Sequence, residues 1–362
     1  MASHFRSLTV KDIRKETDDC VSIAFEIPDQ WKEEFKFKQG QNITVRTSME
    51  GEEIRRSYSI CSSPLDNELR IAVKKIPNGK FSRFASQRLK KNSTLDVLPP
   101  TGLFFTELQR SNKKNYLAFA AGSGITPVIS IIKTTLATEP ESSFTLIYGN
   151  RNRNCIIFKE ELEGVKNKYI DRFSIHYILS REKTDAALNQ GRIDAGKCEL
   201  LFTHFVDPRS IDEFFICGPE EMIFSIKNWL ESKGIEKKKI HFELFTVPGQ
   251  KNKPETEETV ITKKAKSENS RITIRLDGIA FDFDLGTDDE PILDAALKQG
   301  ADLPYACKGG VCASCRAKLI AGKVEMENNY ALEPEELEAG FILTCQSHPR
   351  SEKVVIDFDM RH

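Results

Sequence analysis

The chain has 362 residues with 54 Asp and Glu against 53 Lys and Arg, a formal net charge of −1; that is length enough for two or three domains, without the basic excess that marks a nucleic-acid binder. Its longest apolar runs, such as 116–121 and 214–217, fall far below the roughly 20 residues that cross a bilayer, and the first residues lack an apolar signal core, so neither a membrane span nor export is expected. Nine cysteines, an odd number, suit a reducing cytoplasmic interior better than a disulfide framework.

From Leu8 to about Gly102 the chain alternates apolar and polar residues in short runs, Val21–Ile27, Asn42–Thr47 and Leu69–Lys75. Period-two runs separated by turn residues predict an antiparallel sheet or small barrel. Phe81, Phe84, Ala85 and Leu89 recur at helical spacing after the breaker Pro77-Asn78-Gly79, which predicts one amphipathic helix. Gly79-Lys80-Phe81-Ser82 at its start offers backbone N–H groups and a hydroxyl to a phosphate. Arg56-Ser57-Tyr58-Ser59 ends a strand, where a guanidinium is able to clamp the same phosphates. Taken singly, each is also an ordinary strand or an ordinary cap.

From Asn115 the period changes. Tyr116–Ala120 is a continuous apolar strand, and Gly122-Ser123-Gly124-Ile125-Thr126-Pro127 leads directly into a helical stretch, Val128–Lys133. Strand, glycine-rich turn and helix open a parallel, doubly wound α/β sheet. Further strands are expected at Phe144–Tyr148, Phe173–Leu179 and Glu213–Cys217, followed by Ile240–Phe245. Tyr148-Gly149-Asn150-Arg151 and Cys217-Gly218-Pro219 lie at strand ends, where ligands of open α/β sheets collect. Cys217 has no His or Asp constellation beside it, so it is expected as a wall of the site rather than a nucleophile. Cys20, Cys61, Cys155 and Cys198 are taken as structural, and the six scattered histidines have no metal-ligand spacing.

Thr246 to Asn269 is rich in Pro, Lys, Glu, Thr and Ser and reads as a linker with a reach of roughly 25 to 30 Å. Beyond it, Ile272–Leu276 and Ile279–Leu285 flank Asp277-Gly278 as a hairpin, and 291–300 reads as a helix. Cys307, Cys312 and Cys315 follow as C-x4-C-x2-C, with a distal Cys345. Four thiolates at this spacing suit a 2Fe–2S cluster. A structural zinc site usually has two close pairs, and a redox-active C-x-x-C would leave Cys307 and Cys345 without a role. Over 271–362 there are 17 acidic against 10 basic residues, whereas the rest of the chain has 43 basic against 37 acidic. That asymmetry would guide either mutual docking or docking on a basic partner, or confer only solubility.

From Arg271 onward the chain resembles a plant-type ferredoxin, which implies an α+β β-grasp fold. The first two regions together resemble the ferredoxin–NADP reductase superfamily. The expected layout is thus an FAD-binding antiparallel β-barrel over 1–108, an NAD(P)-binding α/β doubly wound domain over 109–246, a linker over 247–269 and a 2Fe–2S ferredoxin domain over 270–362. By that resemblance Arg56 meets the flavin phosphate, Ser57 lies in the same motif, Tyr58 stacks on the isoalloxazine and Ser59 sits near its reactive N5. Val73 and Lys74 offer backbone groups beside the flavin, while Gly79, Lys80, Phe81 and Ser82 hold the pyrophosphate; Pro100–Phe104 resembles the family's closing turn. Gly122, Gly124 and Pro127 shape the nucleotide turn, and Thr126 lies between flavin and nicotinamide. Cys217, Gly218 and Pro219 line the nicotinamide, with Glu243 a further candidate there. Gly149, Asn150 and Arg151 border the adenosine end with Ser180 and Arg181, and the two arginines suit a 2′-phosphate, favouring NADPH over NADH; as surface residues they would equally be solvated charges.

The domain order resembles reductase components of bacterial multicomponent oxygenases, nearest in overall likeness to the phenylacetyl-CoA epoxidase reductases. The resemblance implies electron flow from NAD(P)H through FAD to the cluster and on to an oxygenase protein, a di-iron epoxidase or a Rieske-type oxygenase. FMN-dependent phthalate dioxygenase-type reductases share the superfamily; a different domain order and the Gly79–Ser82 phosphate site favour FAD. A non-catalytic redox sensor would need no complete flavin and nicotinamide motifs. Nothing in the sequence sets the oligomeric state.

Overall fold

The computed structural model describes residues 4–204, 207–245 and 269–360. Six antiparallel strands come first: β1 (Arg6–Thr17), β2 (Cys20–Glu26), β3 (Asn42–Met49), β4 (Glu52–Ser59), β5 (Leu69–Lys74) and β6 (Thr94–Val97). They run in the order β4-β3-β6-β1-β2-β5. A bridge between Ile60 and Ile71 joins the two edges and closes a barrel. Alternation sends Leu8, Ile23, Ile43, Val45, Ile71 and Val97 into its interior, as the two-residue period of a strand requires. α1 (Lys80–Gln87) caps the interior with Phe81 and Ala85.

The second sheet is parallel, formed by β7 (Asn115–Ala121), β8 (Ser143–Asn150), β9 (Phe173–Leu179), β10 (Glu213–Cys217) and β11 (Ile240–Glu243). Its order is β11-β10-β7-β8-β9. The strands alternate with α2 (Ile125–Thr138), α3 (Lys159–Lys168), α4 (Ala195–His204) and α5 (Glu220–Ser232). The chain winds outward from β7 on one side, then crosses to β10 on the other, so the switch point lies beyond the C-terminal ends of β7 and β10. α2 faces the barrel: Ser130 Oγ donates to Ser62 O at 2.6 Å, and the Ser63 and Thr134 hydroxyls lie 2.9 Å apart. The connecting segment is pinned by buried Glu139, whose carboxylate accepts from the Gln109 N–H at 3.1 Å, Asn112 Nδ2 at 2.6 Å, Tyr116 Oη at 2.9 Å and Ser142 Oγ at 2.8 Å. Four donors offset the cost of desolvating that charge.

The third region contains β12 (Asn269–Leu276), β13 (Ile279–Gly286), α6 (Ile292–Lys298), β14 (Arg316–Ala321), β15 (Val324–Met326), α7 (Pro334–Glu338), β16 (Phe341–Leu343), β17 (Ser347–Pro349) and β18 (Lys353–Asp357). The main sheet has the order β13-β12-β18-β14-β16, and β15 pairs with β17. Asp277 and Gly278 both take positive φ, 54° and 73°, the backbone a tight two-residue hairpin needs. β12 begins at Asn269, one residue inside the expected linker, because Asn269 pairs with Gly286; residues 247–268 of that linker lie outside the described residues. Among the described residues no helix is long and apolar enough to cross a membrane.

Candidate functional site

At the barrel end of the site, register pairs Ser59 with Asn42 and Tyr58 with Ile43. Arg56 is exposed, with Nη1 donating to Arg55 O at 2.8 Å. Ser57 Oγ donates to Asn42 Oδ1 at 2.8 Å. The Tyr58 ring lies 5.5 Å from that of Phe81, tilted by 37°, and burial pushes its phenol above the usual range. The N-terminus of α1 is therefore next to the end of β4. Gly79 precedes that helix, and a Cβ there would stand 2.3 Å from Ser82 Oγ; Ser82 Oγ donates to Gly79 O at 3.3 Å and accepts from the Ile76 N–H at 3.3 Å. Lys80 pairs with Glu52. Val73 is buried in the barrel, whereas Lys74 reaches outward, its Nζ lying 3.7 Å from Asp19 Oδ2 and 3.6 Å from where a Gly122 side chain would begin.

Across the cleft, β10 and β11 run in register so that Cys217 pairs with Glu243. Ser59 Oγ donates to Glu243 Oε2 at 2.8 Å, joining the barrel to the parallel sheet. Burial raises the Glu243 carboxyl from 4.5 to about 7, and the serine hydroxyl only partly offsets this. Thr126 is buried in the first turn of α2 and donates to Ser123 O at 3.0 Å, with Pro127 buried beside it. The Cys217 side chain is fully buried in the core, and burial pushes its thiol well up. Its carbonyl accounts for Gly124, where any Cβ would stand 2.0 Å from Cys217 O. The two turns after β7 and β10 touch through their backbones, a contact that only glycine permits.

These turns open on a cavity of about 820 Å³ at the C-terminal edge of the parallel sheet, the edge where open α/β sheets bind ligands. Gly122, Gly149, Asn150, Arg151, Ser180, Arg181, Gly218 and Pro219 line it, and Lys74 reaches it from the barrel. The Arg181 N–H donates to Arg151 O at 2.8 Å, which holds the two arginines together. Asn150 is 8% exposed, and neither polar atom of its amide has a partner. Sequence reasoning missed Arg192, Asp194, Met222, Ser225 and Phe245 in the lining. A bridge between Leu179 and Gln190 brings 191–194 to the sheet edge, and no local periodicity announces such a return. The spacing of Met222 and Ser225, three apart on α5, was available as a signal, since it gives one helix face.

In the third region, Lys308 and Gly310 take positive φ, 51° and 73°, and a Cβ on Gly310 would stand 2.8 Å from Asn328 O. The loop thereby folds back on itself and brings Cys307 Sγ within 3.1 Å of Cys312 Sγ. Cys345 interacts with both Cys307 and Cys315. Donors from Cys312 and Cys345, with the Gly309 and Val311 amides, hold the Cys307 thiol far below its usual range; the shared protons and burial push Cys312 and Cys345 up. Among the described residues no three His, Cys, Asp or Glu side chains form a site for a single metal ion. Four converging sulfurs with amide donors turned toward one of them fit a 2Fe–2S cluster: Cys307, Cys312, Cys315 and Cys345 would hold it.

Three families match in this order: "Oxidoreductase FAD-binding domain" over residues 7–105, "Oxidoreductase NAD-binding domain" over 119–228 and "2Fe-2S iron-sulfur cluster binding domain" over 274–350. The chain is 46% identical to one of the subunits of the 1,2-phenylacetyl-CoA epoxidase of Escherichia coli (strain K12), over 99% of this chain and 98% of that one. It is 32% identical to the ferredoxin reductase component of 3-ketosteroid-9-alpha-monooxygenase of Rhodococcus rhodochrous, over 97% and 96%. The solved structure of phthalate dioxygenase reductase superposes over 98% of both chains with a TM-score of 0.59 at 23% identity. That superposition corrects one expectation: domain order does not separate this chain from the phthalate dioxygenase type, because the same architecture runs the length of both. FAD rests instead on the family matched over the barrel.

Three outcomes follow from this geometry. Cys312→Ser is expected to abolish the visible absorption of the cluster while leaving the flavin in place, checked by absorption spectra and iron content. Glu243 is expected to place an inflection near pH 7 in the rate at which NAD(P)H reduces the flavin, read by stopped flow, with the rate rising as the carboxylate forms; Glu243→Gln should remove the inflection. Because the folded pKa is raised, wild type should also lose stability relative to Glu243→Gln as pH climbs from 4.5 through about 7.

Proposed function

The chain belongs to the NAD(P)H-dependent flavin and iron–sulfur reductases of multicomponent oxygenases, and from that membership we propose that its acceptor is the di-iron phenylacetyl-CoA epoxidase of phenylacetate catabolism. The likeness to the Escherichia coli epoxidase protein along nearly the entire chain carries this reading. Bound FAD and 2Fe–2S supply the conversion of a two-electron hydride into single electrons. The protein's own work is to bind, orient and tune.

In this reading Arg56 and the α1 N-terminus, Gly79 to Ser82, receive the flavin phosphates. Tyr58, fixed by Phe81, stacks on the flavin ring, with Ser57, Val73 and Lys74 along its edge. Gly122, Gly124 and Pro127 let the nucleotide backbone approach α2, and Gly149 and Asn150 continue that floor. Thr126, Cys217, Gly218 and Pro219 wall the nicotinamide; the buried Cys217 thiol acts through packing and through its carbonyl against Gly124, not as a nucleophile. Ser59 and Glu243 meet at the point of hydride transfer and set the local charge. In this reading the domains span 1–108, 109–246 and, since β12 starts at Asn269, 269–362. With four cysteines assigned to the cluster and the other five outside any disulfide, the cysteine usage supports a reducing, cytoplasmic setting.

Arg151 and Arg181, with Arg192 on the same cavity, favour a nucleotide carrying a 2′-phosphate. Arg151→Ala should lower kcat/KM for NADPH by about tenfold or more, the loss expected for a charge-assisted contact, and leave NADH nearly unchanged; an unchanged preference removes Arg151 from that role. The acceptor is tested by mixing the purified chain with the epoxidase oxygenase components, phenylacetyl-CoA and NAD(P)H. Epoxide formation that depends on the chain is expected. Ferricyanide reduction without coupled epoxidation would sink this acceptor and point to a Rieske-type oxygenase instead.

A further inference from the structure

The sequence places two arginines side by side on β4, and only Arg56 belongs to the flavin motif. Arg55 points the other way and is 6% exposed. Its Nη1 donates to Leu303 O at 3.0 Å, its Nη2 to Asp302 Oδ1 at 3.2 Å and its Nε to Glu53 Oε1 at 2.7 Å. The guanidinium also lies 5.0 Å from the Phe5 ring and 4.2 Å from the Tyr305 ring. Outward from this centre, Arg46 covers Phe5 at 4.0 Å and Lys308 covers Tyr305 at 4.8 Å. A ladder of alternating cations and rings thus runs from the barrel to Lys308, the residue after Cys307. Desolvated cation–ring contacts are worth more than exposed ones, and a buried guanidinium holds its geometry because each lost donor costs a buried charge.

Two further contacts fix the same pose. Thr44 Oγ1 on β3 lies 2.9 Å from Ser314 Oγ, between Cys312 and Cys315. Val311, at the tip of the cysteine loop, packs with Tyr330 against the apolar cluster of the parallel sheet that includes Met222, Ile240 and Leu244. The cysteine loop therefore sits astride the two domains that form the cleft.

We propose that Arg55 is a positioning residue for internal electron transfer: it clamps the ferredoxin domain on the flavin barrel so that the cysteine loop faces the flavin cleft. The proposal rests on the reading that the reduced flavin gives its electrons to this cluster, one at a time, the hydride of NAD(P)H being their source. It gives the charge asymmetry of the sequence a location, since a cation of the basic body meets the acidic C-terminal domain at Asp302.

The test uses the full chain loaded with FAD and cluster. In anaerobic stopped flow with NADPH, Arg55→Met should reduce its flavin at the wild-type rate, while its cluster is reduced at least about tenfold more slowly, as displacement of one reactant from its productive pose implies. Arg55→Lys, which keeps the charge but loses the planar fork, should fall between. In solution scattering Arg55→Met should show a larger radius of gyration. Cluster reduction at the wild-type rate in Arg55→Met overturns the proposal. If that variant does not retain both cofactors, Tyr305→Leu carries the same expectations from the opposite side of the contact. A wild-type chain whose reduced flavin fails to reduce its cluster would instead refute the functional reading, which keeps the two failures apart.

Discussion

The hydrogen bond from Ser59 to Glu243 joins two residues 184 apart in sequence and ties the flavin barrel to the parallel sheet at the mouth of the cleft. Each partner is placed by a different sheet: Ser59 by its pairing with Asn42 in the barrel, Glu243 by its pairing with Cys217 at the edge of the parallel sheet. One hydroxyl is a thin complement for a buried carboxyl, and the raised Glu243 pKa records that deficit. A site that handles changing charge has use for a group whose protonation is poised close to neutrality. The close backbone approach of Gly124 and Cys217 holds the parallel sheet's side of this cleft, so the geometry around the carboxyl does not depend on that one bond alone.

Much of this was legible in the sequence, for reasons that differ by element. β2 and β5 show plain alternation because one face of each packs in the barrel, and the Asp277-Gly278 turn announces itself because few residue pairs tolerate two positive φ values. The cysteine spacing was decisive since ligand chemistry acts over a short stretch of chain. β1 was harder. Its sequence, RSLTVKDIRKET, buries little beyond Leu8, Val10 and Thr17, and register shifts after Val10 and Lys15 break the alternation. The cavity lining at Arg192 and Asp194 depends on a loop returning to the edge of β9, a tertiary event with no local period.

Arg55 shows the sharpest limit of sequence reasoning. Next to Arg56 it reads as one more charge on a strand, yet the two side chains occupy opposite environments, one exposed and one enclosed by residues about 250 positions away. Pleating separates neighbours onto opposite faces, so adjacent arginines are well suited to two different jobs. Which face meets the ferredoxin domain is decided only when the domains assemble. The segregated charge seen in the composition foretold that some contact of opposite sign was available, without saying where.

That all three domains share one polypeptide has a kinetic consequence. Passage of an electron from the flavin cleft to the cysteine loop is first order in protein, because the tether and the contacts at Arg55 fix the local concentration of one reactant around the other. Delivery to an oxygenase remains a second-order encounter. Dilution therefore leaves the internal step untouched and starves only the external one, so at low partner concentration the chain accumulates in its reduced form, charged and waiting, and it is the abundance of the acceptor that sets the flux.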